Sequence, residues 1–371
     1  MSLKEGTVQL PATHSIAVEV DAKHSTAVNI VRQPAGASSA SSSAFDGLAA
    51  GASSDVLVSF IVADSVEEEL KVEHSSTDGH ASFKASLPSK SWLQRIFNGG
   101  FRFTADTPPD VTVTVALPAK HDQPLGVSAK LSAPGVIAVD DLGPARLGGV
   151  TLSAPLGGIR TKGTIEAGSF TASVSVGELD VDTVRTAGDI SLTSSTGEIK
   201  AHLLMGGSIA LNASIGEIDV RAARFLDSFT ASAGTGAIDA NSVICDDPPK
   251  SALADGVPPP RGLVELKSGV GEVRGRFEGF WRLTSTASVG ECRLQLAPRQ
   301  GGRASVKTSI GEASISLLPG FNGRIAASGS GRIKADNQPV NGEFVGDASV
   351  PNPSLLEISS SFPGSYSVDF M

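Results

Sequence analysis

The sequence is poor in aromatic residues. Its 371 residues include 15 Phe, two Trp and one Tyr, against 41 Gly and 21 Pro. A mixed α/β enzyme of this length usually contains more large aromatic side chains. Short strands that are joined by tight corners instead need small residues, β-branched residues and frequent glycine. The composition therefore favours an all-β chain.

The chain also has few cysteines and no long apolar segment. Cys245 and Cys292 cannot make a disulfide framework, and the sequence does not decide whether they pair. We interpret them as two unpaired, small hydrophobic residues. The first residues, Met1-Ser-Leu-Lys-Glu5, have no apolar signal core, and no segment approaches the ~18 apolar residues of a membrane span. We expect a soluble chain, and the sequence does not indicate its localisation. A cell-surface or extracellular role would require a signal or anchor outside this sequence.

Basic clusters and histidine motifs are missing as well. The formal net charge is −9 and there is no basic run, which argues against a nucleic-acid partner. The six histidines show no His-x-x-His spacing. His74 and His80 flank Asp78 and could meet a metal ion, but a solvated hairpin is the simpler interpretation. We predict no metal, no cofactor and no catalytic residue.

What the sequence does contain is a short motif of the form Ser-x-Gly-Glu-Ile, repeated about every twenty residues. Its eight copies are centred on Gly177, Gly197, Gly216, Gly236, Gly271, Gly290, Gly311 and Gly331, after a degenerate copy at Gly157. One gap is longer, and it contains the Asp- and Pro-rich residues 245–260, which we interpret as a loop inserted between two repeats. Repeats of equal length predict layers that stack on one another.

Between the glycines, apolar and polar residues alternate with the period of a β-strand. The residues two and four positions after each motif glycine are mostly apolar and should face inward. A second glycine recurs earlier in the repeats and predicts a second corner, at Gly148, Gly168, Gly188, Gly207, Gly262 and Gly302. We predict an all-β chain: a right-handed parallel β-solenoid of about nine or ten rungs, with an N-terminal antiparallel β-rich capping region.

The domain organisation follows from where the repeat begins and ends. We expect an N-terminal β-rich region at residues 1–131 with a flexible Ser-rich loop at 36–54, a solenoid at 132–345, and a C-terminal cap at 346–371. Strand candidates in the first region are residues 15–20, 27–32, 55–62, 70–73, 81–86, 101–105 and 111–117, and the cap has candidates at 355–359 and 365–370. Residues 92–97 have helical spacing, which fits a short helix that covers apolar surface or an amphipathic turn that touches a membrane.

The repeated Thr-Gly-Glu-Ile and Ile-Gly-Glu-Ile segments, preceded by Val111-Thr-Val-Thr-Val-Ala-Leu-Pro118, resemble the putative adhesin family of domains of unknown function. The resemblance covers roughly residues 105–345. It implies an N-terminal strand region followed by a β-solenoid, and it supplies no catalytic residues. The Pro-rich insertion and the Ser-rich loop depart from the family pattern.

The position directly after the motif glycine is the candidate site. Six of its eight residues are glutamates: Glu178, Glu198, Glu217, Glu272, Glu291 and Glu312, which we call the Glu strip. Carboxylates stacked about 4.8 Å apart repel one another by about 0.9 kcal/mol in water. Lys200, Arg274, Arg293 and Lys334, two positions further on, can offset this repulsion. The strip is therefore either a solvated face of ion pairs or a surface that binds Ca²⁺ or a basic partner.

These observations favour a non-enzymatic, adhesin-like binding scaffold that presents flat faces to an unknown protein or glycan surface. Two alternatives stay open. One is a polysaccharide-active β-helix enzyme, which would need ionisable groups that converge in a cleft. The other is a structural module that assembles side by side.

Overall fold

The computed structural model describes residues 4–10, 15–21, 26–32, 56–62, 71–77, 80–86, 111–117, 124–132, 134–142, 147–246, 262–319, 321–328, 330–335, 338–339, 344–345, 353–361 and 364–370. Within these ranges the secondary structure is all-β, without helices, and most strand pairs are parallel. The chain divides into two compact units, Met1–Val174 and Ser175–Met371. Several segments with sequence predictions lie outside the described residues: the Ser-rich loop 36–54, Asp78, residues 92–97 and 101–105, and residues 247–261 of the insertion.

Unit 1 is built from strands of which most belong to two parallel rows. They are β1 (Lys4–Leu10), β2 (Ser15–Asp21), β3 (Thr26–Arg32), β4 (Val56–Val62), β5 (Lys71–Thr77), β6 (His80–Ser86), β7 (Val111–Leu117), β8 (Leu125–Leu131), β9 (Pro134–Val139) and β10 (Leu147–Thr161), followed by β11 (Thr164–Thr186), which crosses into unit 2. One row runs β6–β2–β8–β10, and the other runs β7–β3–β9–β10. The strand β10 turns a corner and contributes to both rows.

The predicted antiparallel N-terminal region is only partly antiparallel. The strands β1, β4 and β7 pair antiparallel, as do β5 and β6. By contrast, β2 and β3 lie between parallel neighbours on both sides. Their alternate residues, such as Ile16 and Ile30, are buried and continue the inward columns of β8 and β9. The strands β2 and β3 therefore form a parallel layer inside the unit, with both of their edges paired.

Unit 2 contains the regular repeats. Its strands after β11 are β12 (Ile190–Thr196), β13 (Ile199–Ile215), β14 (Ile218–Thr235), β15 (Ile238–Cys245), β16 (Leu263–Val270), β17 (Val273–Glu278), β18 (Arg282–Val289), β19 (Cys292–Ala297), β20 (Arg303–Leu317), β21 (Gly323–Ser328), β22 (Ser330–Ala335), β23 (Gln338–Pro339), β24 (Phe344–Val345), β25 (Ser354–Ser360) and β26 (Gly364–Phe370). Each layer has one segment before the Gly-Glu corner and one after it. Both segments pair in parallel with the equivalent segments of the next repeat.

The inward columns that the sequence predicts form the core of unit 2. In the first column Leu179, Ile199, Ile218, Ile238, Val273, Cys292 and Ala313 are paired in one continuous register, and all are buried. In the second column, four positions after each motif glycine, Gly275 contributes no side chain to the core. A Cβ atom there would lie 2.7 Å from Cε2 of Phe277. The phenyl ring of Phe277 thus occupies the space that a side chain at 275 would need.

Both cysteines are buried and lie outside any disulfide bond, which confirms their interpretation as small hydrophobic residues. Cys292 belongs to the first inward column, and its Sγ lies 3.5 Å from the hydroxyl oxygen of Ser285. Burial raises the pKa of the Cys292 thiol to about 11. The thiol therefore stays protonated at neutral pH.

The strands before the insertion pair in parallel with the strands after it. The register β14–β16 pairs Ala233 with Ser268, and β15–β17 pairs Ile238 with Val273. Arg299 holds the base of the insertion, since it donates hydrogen bonds to the carbonyl oxygens of Gly279 and, at 3.0 Å, of Asp246.

The C-terminal strands form at the predicted positions but not at the edge of the stack. The strand β25 pairs in parallel with β20 on one side and with β21 on the other. The strand β26 likewise lies between β20 and β22. The outermost parallel strands are thus β21 and β22, which pair antiparallel with the two-residue strands β24 and β23. The segment expected to close the chain is an internal layer, and the bounds of the predicted domains stay a prediction.

The second glycine column is less uniform than the sequence suggests. Gly262 has a positive φ of 75°, and a Cβ atom on Gly168 would lie 2.3 Å from the carbonyl oxygen of Gly148. Gly207 has an ordinary φ and more room around it. The requirement for glycine is therefore uniform from Gly177 to Gly311 at the Gly-Glu corner and varies along the second column.

Candidate binding ridge at the Gly-Glu corner

The backbone of the Gly-Glu corner is rigidly stacked from layer to layer. The motif glycines have φ values between 134° and 147°, a conformation that is costly for residues with a Cβ atom. The N–H of Gly197 donates to the carbonyl oxygen of Ile215 at 2.8 Å, and that of Ile199 donates to the carbonyl oxygen of Glu217 at 2.8 Å. The same two bonds recur along the stack, so side chains that flank the glycine are held in register.

The structure places the Glu strip on one side of this corner. Glu217 and Glu312 are exposed. Glu178, Glu198 and Glu291 are partly exposed, with 34 to 40% of the side chain accessible. Glu272 is the least accessible glutamate of the strip, with 21% of its side chain exposed. The predicted alignment of the carboxylates therefore holds, while their environments differ.

Basic side chains offset part of the repulsion between these carboxylates. Lys200 Nζ lies 3.0 Å from Glu178 Oε1 and 2.9 Å from Glu198 Oε2, so one ammonium group bridges two layers. Hydrogen bonds to Glu198 and Glu178 raise the pKa of Lys200. These groups are well exposed, so the pairs contribute little to stability.

A second bridge lies further along the strip. Arg274 pairs with Glu272 of its own layer, and Arg293 Nε lies 3.4 Å from Glu272 Oε1. Arg293 also reaches Glu291 Oε2 at 2.5 Å. In the part of the chain with described side chains, Glu217 and Glu312 make no ion pair, so the carboxylates of these two residues are available to a partner.

Two aspartates add negative charge beside the strip. Asp219 and Asp239 are directly paired on adjacent layers, and Asp239 is next to Arg274 on the following layer. Burial, and then the charge of Asp219, raise the pKa of the Asp239 carboxyl. Ionisation of the Asp239 carboxyl is therefore disfavoured at this position.

Sequence reasoning missed a row of exposed apolar side chains on the other side of the glycine. From Gly177 to Gly311, the residue before each motif glycine is β-branched: Val176, Thr196, Ile215, Thr235, Val270, Val289 and Ile310, which we call the β-branched ladder. Its five aliphatic members have exposed fractions of 41 to 56%. Pairing joins the ladder from Thr196 to Ile310 in unbroken register. The signal was visible in the sequence, since the variable position of the seven motif copies from Gly177 to Gly311 is always Val, Ile or Thr.

The Glu strip and the β-branched ladder together form a ridge, which we call the corner ridge. The glycine between them has no side chain, so only backbone separates the two columns. Among the described residues, no group of three or more His, Cys, Asp and Glu side chains is arranged to hold a metal ion. The ridge combines aliphatic groups with excess negative charge, a combination suited to contact with a basic macromolecular surface.

Other candidate groups lie elsewhere. His80 is on the β5–β6 hairpin, where its Nδ1 lies 2.5 Å from the Ser15 hydroxyl oxygen. None of the described residues forms a helix long and apolar enough to cross a bilayer.

Comparisons with known proteins return adhesins among solved structures. A putative cell adhesion protein from Clostridium sporogenes matches over 100% of both chains at 11% identity and a TM-score of 0.20. A putative adhesin from Parabacteroides distasonis covers 100% of this chain and 97% of its own at 10% identity and a TM-score of 0.33, and one from Bacteroides fragilis gives the same coverage and identity with a TM-score of 0.24. No protein-family model and no curated protein matches the sequence. The names agree with the family resemblance of the motifs, although TM-scores below 0.5 do not establish a common fold.

Proposed function

We propose that the chain is a non-enzymatic, adhesin-like scaffold whose corner ridge binds a basic protein surface. The observation that carries the proposal is the unbroken β-branched ladder beside the Glu strip. An exposed apolar row of this length is unusual on a protein surface without a partner. The neighbouring columns, from Glu178 to Ser314, contain six glutamates and three aspartates but only three basic residues. This excess of negative charge favours a partner with a positively charged surface.

The fold that we propose for this scaffold is a right-handed parallel β-solenoid with the nine or ten rungs that the repeat predicts. Parallel layers in continuous register support it. Right-handed winding is favoured because crossovers between parallel strands are almost always right-handed. A rigid stack keeps the ridge straight, so many weak contacts act together with little entropy cost on binding.

The alternative enzyme would need a cleft with converging acids and bases, whereas the side chains of the ridge are mostly exposed. Side-by-side assembly of the ridge with a second copy would bring two acidic strips together, which costs free energy. A basic protein partner is therefore the occupant that the charges favour.

The test is an adhesion assay with beads that carry the purified chain, applied to surfaces coated with a basic or an acidic protein. We expect binding to the basic surface, weakened at least tenfold by Glu217→Lys or Ile215→Ser. Glu265→Lys, which makes the same charge change on the strand face before the corner, is the matched control and should bind like the parent. Equal binding by all variants, or no binding to the basic surface, would overturn the proposal.

A further inference from the structure

A second charged surface lies on the strand row before the corner, and its sign is opposite to that of the Glu strip. Arg282, Arg303 and Arg324 are exposed and point outward in one column. Arg282 pairs directly with Arg303 on the next layer, and Leu355 separates Arg303 from Arg324. Arg303 and Arg324 therefore lie on either side of β25. We call these three residues the Arg column.

The arginines of this column lack the partners that other basic residues have. Lys200, Arg224, Arg274, Arg276 and Arg293 all pair with carboxylates. Within the described part of the chain, the Arg column makes no ion pair. Like charges directly opposite on neighbouring strands are destabilising. A bound anion would relieve this repulsion, since each guanidinium can hold a carboxylate with two parallel hydrogen bonds.

A trough lies beside Arg303 and Arg324, on the layers of β20, β25 and β21. It has a volume of about 300 Å³, at the lower end of the range for small-ligand sites. Its polar lining consists of Ser305, Lys307, Ser328, Glu357 and Ser359. Ala326 pairs with Glu357, and its short side chain leaves the space open. Hydroxyl groups together with one ammonium and one carboxylate can donate to and accept from a polyol.

An exposed aromatic ring borders the column at its other end. Trp281 is 46% exposed, whereas the preceding Phe280 is fully buried, so the indole faces outward. A Cβ atom on Gly262 would lie 3.4 Å from Trp281 Cδ1, which shows that the indole rests against a position without a side chain. A flat aromatic surface of this kind can stack against the C–H face of a sugar ring.

We propose that Trp281, the Arg column and the trough form a binding site for an acidic oligosaccharide that contains uronic acid residues. The guanidinium groups bind the carboxylates, the trough accepts one sugar ring, and Trp281 stacks on another. Nucleic acid is disfavoured because binding of single strands uses a series of aromatic rings, and the whole chain has a net charge of −9. The site is independent of the corner ridge.

The test is calorimetric titration of the full chain with tetragalacturonate, with its fully methyl-esterified form as the neutral probe. We expect saturable binding of the acidic tetramer and at least tenfold weaker binding of the ester. Arg303→Gln and Trp281→Ala should each weaken binding at least tenfold, and Ala326→Gln should do so by filling the trough. Arg221→Gln removes a guanidinium on the row after the corner and should bind like the parent.

A second readout does not depend on heats of binding. Trp92 and Trp281 are the two tryptophans of the chain, so Trp92→Phe leaves Trp281 as a single fluorescent reporter. Tetragalacturonate should shift the emission of this variant, and Glu217→Lys should leave the effect intact. No binding of the acidic tetramer, equal binding of the ester, or tighter binding of a single-stranded oligonucleotide would overturn the proposal, whatever the fate of the corner ridge.

Discussion

The carbonyl oxygen of Gly177 lies 1.8 Å from the position that a Cβ atom on Gly197 would occupy. The same relationship joins Gly216 to Gly236 at 1.9 Å. Each motif glycine therefore satisfies two requirements, a positive φ in its own layer and close approach to the carbonyl of the layer before it.

Gly236→Ala should destabilise the protein by about 2 kcal/mol or more, because the Cβ atom strains the backbone and meets a carbonyl that is fixed by pairing. The midpoint of urea unfolding measures the effect. Gly207→Ala is the control, since the nearest atom there is 3.3 Å away and φ is not positive. A loss of stability as large at 207 as at 236 would contradict the explanation.

Asp239→Asn should stabilise the protein at pH 7, by an amount on the order of 0.5 kcal/mol for a partly exposed group. The pKa of Asp239 is raised in the folded state, so folding favours the protonated carboxyl, and the ionised form costs stability above that pKa. The advantage of the variant should disappear as the pH falls to 3.8 and below, where the carboxyl is protonated in both states. Thermal unfolding from pH 3 to pH 7 measures it.

Asp180→Asn is the matched control for that experiment, because Asp180 pairs with Lys200 on the next layer and not with another carboxylate. It should give no stabilisation at pH 7. An equal gain from both variants would point to general charge reduction and not to the Asp219–Asp239 pair.

Leu356→Ala should cost about 2–5 kcal/mol, the usual range for a buried leucine in a packed core. Leu356 is fully buried in β25, which is paired on both sides, so its cavity cannot close by movement of a free edge. Leu355→Ala on the outward face of the same strand should have a much smaller effect. Unfolding midpoints that are equal for the two variants would place β25 at an unpacked edge.

Neither cysteine should react with a thiol reagent in the folded protein at pH 8. Both side chains are buried, and the pKa of the Cys292 thiol, at about 11, keeps it protonated there. Two thiols should be labelled in urea without prior reduction. Mass spectrometry counts the labels, and a requirement for reductant would reveal a disulfide.

Much of this architecture follows from the sequence. The spacing of Gly177, Gly197 and Gly216 indicates the layer length, and the alternation after each of them identifies the inward columns. The Glu strip follows from the same register. Even so, the motif did not indicate two further copies of the corner. One is at Gly135, which pairs with Gly157, and the other is at Gly364, which pairs with Gly311. Each follows a proline and lacks the glutamate, so the motif is too degenerate to stand out.

The tertiary structure decided the order of the layers. The pairing of layers that are about twenty residues apart follows from the repeat. Each repeat contains the corner glycine and the apolar residues that stack on those of the next repeat. The pairing of Arg303 with Leu355, and of Leu355 with Arg324, joins segments without that period. Only burial of β25 between two layers, with its backbone groups paired on both sides, selects this arrangement. The sequence alone thus determined the repeating layer and its acidic strip, whereas the fold of the whole unit placed β25 between Arg303 and Arg324.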